Sequence, residues 1–168
     1  MDGYQTLRSD IKRLQATSEA AESAVLKARL SIPEKPPDDV LASWRDIVQA
    51  KNLSELPAHV LGDYLQHFQA AVAYALWAES VADVQFQTAR AVREHIESRL
   101  LLLQESNRKD LQLAAVQSEP EYVTALEAEL RAQHIVKLTR AVRQSYEGFR
   151  DVISREITRR DSEHRRLL

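Results

Sequence analysis

Three arginines near the C-terminus, Arg155, Arg159 and Arg166, fall on one face of any α-helix that carries them, with Ser162 among them. Guanidinium groups in such an array suit the charge-assisted gripping of phosphate or carboxylate oxygens. Arg140 and Arg165 flank that face, and no Lys follows Lys137. Residues 139–168 hold eight Arg and five acids, net +3, whereas the other 138 residues hold 15 bases and 20 acids, net −5. A solvated helix end accounts for the same residues. Asp151 precedes Arg155 by four and Glu156 precedes Arg160 by four, the favourable orientation for intrahelical pairs, and cations near a helix C-terminus complement its dipole. Arg160 differs from its neighbours, because helical angles place it on the apolar side.

Other chemistry finds little footing. Cys is absent, which removes thiol nucleophiles, thiolate metal sites and disulfides. The phosphate-loop, dinucleotide, nucleophile-elbow and H-E-x-x-H patterns do not occur. His59, Asp63 and His67 recur at intervals of four and share a helix face, but no second segment offers further ligands, and a helix start with a polar face explains them. His134 and His164 stand alone. The chain reads as non-enzymatic, with no catalytic residue, metal or cofactor.

The elements that must position these side chains are helical. Only three Gly and five Pro occur in 168 residues, all Pro lying between Pro33 and Pro120, and the long stretches between breakers are rich in good helix formers. The expected fold is all-α. Tyr4, Leu7, Ile11, Leu14, Ser18, Ala21, Val25 and Ala28 alternate at spacings of three and four, a coiled-coil-like seam over residues 1–31. That helix either self-associates, through Leu7, Ile11, Leu14 and Val25 above all, or packs back on its own chain. Residues 32–57 form a Pro-rich connector holding a short helix, in which Trp44 is a core anchor.

Residues 58–168 are expected to form a long αα-hairpin with a basic C-terminal end. Its first helix runs past Leu103 towards Ala115, with Ser106–Asp110 as a polar interruption, on a stripe of Tyr64, Phe68, Ala71, Ala75, Ala78, Ala82, Ala89, Ile96, Leu100 and Leu103. The alanine-rich middle lets a partner helix approach closely. At QSEPEY, Ser118 is the expected N-cap, with Pro120 in the first turn and Glu121 completing a capping box. The last helix shows a stripe of Tyr122, Leu126, Leu130, Ile135, Leu138, Val142, Phe149, Ile153 and Ile157. A two-helix hairpin buries one stripe per helix, so a homo-oligomer is expected. No apolar leader or run of membrane-spanning length occurs, which reads as a soluble, cytoplasmic protein without a membrane partner.

The segment YEGFRDVISREITRR, with ELRAQHIVKLTRAVRQS before it, resembles the final helix of phage recombination mediators of the UvsY type and related small helical phage proteins. In those, an apolar or aromatic stripe closes on a Ser-Arg pair followed by basic residues, matched here by Ser154 and Arg155. LGDYLQHFQAAVAYALWAESVADVQFQTAR is similar to the preceding helix of that family, so the likeness covers about residues 56–161. The resemblance implies an oligomeric accessory protein that binds single-stranded DNA through Arg155, Arg159 and Arg166, flanked by Arg140 and Arg165. It also implies a RecA-like recombinase and a single-strand-binding protein as partners. A helical structural or assembly protein without DNA binding is the alternative.

Overall fold

The computed structural model describes residues 32–37, 42–47, 53–103 and 109–167. The heptad segment of residues 1–31, with Leu7, Ile11, Leu14 and Val25, lies outside the described residues. Three helices dominate: α1 (Ala58–Leu103), α2 (Lys109–Ser118) and α3 (Pro120–Leu167). A short helical segment at 42–47 and a 3₁₀ turn at Leu53–Glu55 precede them. No strand occurs among the described residues.

Helix boundaries follow local chemistry. Pro57 ends the 3₁₀ turn, and its carbonyl accepts the Leu61 N–H at 3.2 Å as α1 begins. Helix α1 is described to Leu103, and α2 from Lys109. The polar interruption at Ser106–Asp110, across which the first helix is expected to run on, kink or end, lies largely outside the described residues. The cap between α2 and α3 differs from expectation. The Ser118 hydroxyl donates backwards to the Ala115 carbonyl at 2.7 Å, so it is not the N-cap. The Glu119 carbonyl accepts the Val123 N–H at 3.0 Å, putting Glu119 at the cap and Pro120 in the first helical position.

The residues fall into two compact units, both drawing on α1 and α3. In the unit containing Ser80–Lys137, Ile96 and Leu100 of α1 pack on Tyr122 and Ala125 of α3, and Val116 of α2 closes the cluster. In the unit formed by Ile32–Glu79 and Leu138–Leu168, Trp44 fills an aromatic cluster with Tyr64, Phe68 and Phe149, at ring-centroid distances of 5.2, 5.3 and 6.0 Å. Leu56, Leu61 and Ile153 complete that core. Trp44 is buried, as expected of a core anchor. In one unit the end of α1 meets the start of α3, and in the other the start of α1 meets the end of α3, the pairing of an antiparallel hairpin.

The inward positions follow a strict alternation of four and three. On α1 they are Leu61, Leu65, Phe68, Val72, Ala75, Glu79, Ala82, Phe86, Ala89, Arg93, Ile96 and Leu100, every one buried or half-buried. On α3 the corresponding set is Ala125, Glu129, Ala132, Val136, Thr139, Arg143, Tyr146, Arg150, Ile153, Ile157 and Arg160. This corrects the apolar stripe expected on α3. Leu130, Ile135, Leu138 and Val142 are exposed, Leu138 to 66 %. The seam places Arg and Glu where an apolar-only reading looks for Leu and Ile.

Candidate nucleic-acid interface

The arginines of α3 divide into those held by acids or carbonyls and those left to solvent. Arg159 and Arg160 both converge on Glu156. Arg159 bonds it through two nitrogens, at 2.9 and 2.8 Å, and also reaches Glu163. The hydrogen bonds from Arg159 and then Arg160 pull the Glu156 carboxyl from its usual 4.5 to about 2, and the acids in turn push Arg159 upward. Arg140 and Arg143 grip the two oxygens of Glu79 at 2.8 and 2.7 Å. Those bonds hold the Glu79 carboxyl below its ordinary range, Arg140 contributing most. In the other unit Arg93 makes the equivalent contact with Glu129 and a second with Glu97 at 2.7 Å.

Arg160, placed by helical angles on the apolar side, has a specific task there. It donates to the Leu56 carbonyl at 2.7 Å and the Leu53 carbonyl at 2.8 Å, while its Nε bonds Glu156 at 2.8 Å. One planar fork thus satisfies two carbonyls at the end of the 3₁₀ turn. The seam position of Arg160 foreshadowed burial, but nothing in the sequence named its acceptors.

Of the five arginines expected at a nucleic-acid face, Arg155, Arg165 and Arg166 are exposed and carry no acidic partner among the described residues. Arg159 and Arg140, though partly exposed, are already committed to carboxylates. The expected Glu156–Arg160 pair forms. The expected Asp151–Arg155 pair does not, because Asp151 is held by Arg150 at 2.9 Å. Ser154 and Arg155, the pair matched in the resemblance, both lie on the exposed side. Trp44, Tyr64, Phe68, Tyr146 and Phe149 of this unit pack together at its core, and Tyr74 and Trp77 pair with each other further along α1, so no ring is given over to the free arginines as a stacking platform. The arrangement can bind anions by charge, and base stacking is not part of it.

His59, Asp63 and His67 are each exposed on α1, and no group of three or more acids and histidines converges to hold a metal among the described residues. A cavity of 220 Å³ lies in the same unit as the arginines, between Tyr74, Ala75 and Ala78 of α1 and Leu138, Val142 and Tyr146 of α3, with Pro36 and Lys35 at its edge. Its walls are almost wholly apolar and carry no acid–base pair. No helix of the described residues is long and apolar enough to cross a membrane. No protein-family model, curated protein or solved structure matches the chain significantly.

The Glu156 geometry fixes a pH response. A carboxyl whose folded pKa is depressed adds stability in full above its ordinary value and loses it as pH falls towards the folded value. For Glu156 that window runs from 4.5 down to about 2. Glu156→Gln is therefore expected to lose less stability than the wild type between pH 6 and pH 3, measured as urea midpoints. Equal losses in the two proteins would remove Glu156 from the acid response.

Proposed function

We propose that the chain is a non-enzymatic helical assembly protein, whose long helices present apolar outward faces to protein partners, first among them further copies of itself. The exposure of large apolar side chains along α3 carries this reading: Leu130 and Ile135 in one unit, Leu138 and Val142 in the other. Large apolar side chains left outside the packed core of each unit favour an interaction surface there. The commitment of Arg140 and Arg159 to carboxylates supports it too, since a face built for phosphate would leave those groups available. The test is sedimentation mass in solution, expected above the 19.2 kDa of one chain. Asp placed at Leu7 and Ile11 is expected to lower that mass if the N-terminal heptads take part, because it buries charge in their seam. A monomer at every concentration would end the assembly reading.

Binding of single-stranded DNA, in the manner of a recombination mediator, is a second reading. The exposed and unpaired Arg155, Arg165 and Arg166 support it. The RecA-like recombinase and single-strand-binding protein enter only through the resemblance. On this reading a labelled oligonucleotide binds with affinity that falls as salt rises, each neutralised phosphate releasing counterion. Changing Arg155, Arg165 and Arg166 together to Gln is expected to weaken binding at least tenfold at low salt and flatten the salt slope. Arg159→Gln should matter much less, its guanidinium being occupied. Undiminished binding by the triple variant, or none by the wild type at low salt, would sink the reading.

A further inference from the structure

Helices α1 and α3 repeat one another. ALWAESVADVQFQTARAVREHIE, residues 75–97, and ALEAELRAQHIVKLTRAVRQSYE, residues 125–147, agree at ten of 23 positions with a constant offset of 50: Ala, Leu, Ala, Glu, Ala, Arg, Ala, Val, Arg and Glu in order. The identities include the charges of the seam. Glu79 matches Glu129, Arg93 matches Arg143, and Glu97 matches Glu147. Each unit then builds the same cluster from both repeats. In one, Arg93 bonds Glu129 of the other helix, and Glu97 of its own at 2.7 Å. In the other, Arg143 bonds Glu79 of the other helix and Glu147 of its own, each at 2.7 Å. The four cross-helix side chains are between 15 % and 22 % exposed, so solvent relieves little of a charge mismatch there. The pairing of large with small repeats too. Ile96 packs beside Ala125 in one core, and Tyr146 and Ala75 wall the same cavity in the other unit.

We propose that Glu79, Arg93, Glu129 and Arg143 choose the partner of each long helix, and that their order makes the inward face of α1 an interface for a second copy of this chain as well as for its own α3. Laid antiparallel on α1 of a second copy, Arg93 of each chain meets Glu79 of the other. That is the contact Arg143 makes with Glu79 in the closed hairpin. Helix α3 pairs with its own copy in the same way, through Glu129 and Arg143. Charge order selects this occupant, because a helix with any other order sets Arg on Arg or Glu on Glu. In a single chain α3 is tethered beside α1, and that effective concentration favours closure. Two copies that open together and pair like with like keep a cross-helix Glu for each of these arginines. The outward apolar side chains take no part, so the inference does not rest on the assembly reading.

Three full-length variants test it. Glu79→Arg with Arg93→Glu inverts α1 alone, which sets like charges at both clusters of the closed hairpin while α1 stays complementary to itself. Glu129→Arg with Arg143→Glu inverts α3 alone. All four substitutions together restore the closed pairing and carry every local cost of the other two, so that protein is the control. Phe86 lies midway between Glu79 and Arg93, and the chain has no Cys. An added Phe86→Cys therefore meets its own copy in a like pair, where Ala82 and Ala89 on either side let the helices approach disulfide reach, roughly 4.4–6.8 Å between Cα atoms. With α1 inverted, Phe86→Cys is expected to form a disulfide-linked dimer under mild oxidation at least tenfold faster than with wild-type charges or with all four substitutions. Mixing the α1-inverted and α3-inverted proteins is expected to raise the urea midpoint above that of either alone, since each α1 then finds a matching α3 in the other copy. A cross-linking rate indifferent to the charge pattern would overturn the proposal. So would a mixture no more stable than its components, a result that reads clearly even where each inverted protein alone is poorly folded.

Discussion

Phe68→Ala is expected to cost about 3–5 kcal/mol of unfolding stability, the range for truncating a well-packed aromatic side chain. Phe68 is 1 % exposed and touches four other rings, Trp44, Tyr64, Tyr146 and Phe149. Those rings come from the connector, α1 and α3, so no single element can move in to fill the void. Edge-to-face geometry with Trp44, at an interplanar angle of 75°, adds a contribution that alanine cannot replace. Urea unfolding followed by circular dichroism measures the loss. Leu138→Ala is the control, because Leu138 is 66 % exposed and such surface changes move stability by no more than about 0.5 kcal/mol. Equal losses in the two variants would refute the burial pattern of this unit.

Arg160→Met is expected to cost about 2 kcal/mol, the scale for leaving partly buried carbonyls without their charged donor. Methionine keeps most of the stem volume, so the loss reports on the guanidinium. Arg160→Lys is the sharper variant. An ammonium keeps the charge, but a point donor cannot reproduce a fork that meets the Leu53 and Leu56 carbonyls and Glu156 together, so Lys should recover only part of the loss. The comparison is Arg159→Gln, which removes more ion pairs at a more exposed position; solvent screens such pairs, so its loss is expected to be the smaller. Full rescue by Lys would reduce Arg160 to a surface charge.

The all-α fold was legible because breakers were few and helix formers many, and the stripe on α1 was legible because Phe68, Ala71, Ala75, Ala82, Ile96 and Leu100 are apolar and inward. The stripe on α3 was not. Its seam includes Glu129, Arg143, Arg150 and Arg160, whose hydrogen-bond partners lie on other segments or elsewhere on α3. A hydrophobic pattern therefore tracks the large apolar residues Leu130, Leu138 and Val142 outward, when the seam itself is partly ionic. The arginine array was visible as spacing. Its division into committed and free members depended on Glu79, 61 residues from Arg140, and on a near choice between Arg150 and Arg155 for Asp151. Local sequence rules rank neither.

The cross-helix contacts also carry a timing. Arg93 and Glu129 are 36 residues apart, Arg143 and Glu79 are 64 apart, and Arg160 and Leu53 are 107 apart. Closing the longest of these loops costs roughly 1 kcal/mol more chain entropy than closing the shortest, and contacts at large sequence separation form late. Folding is therefore expected to zip from the Glu119–Pro120 corner outward. The arginine clamp on the 3₁₀ turn is expected to close last, and on a nascent chain it waits until Arg160 has been made.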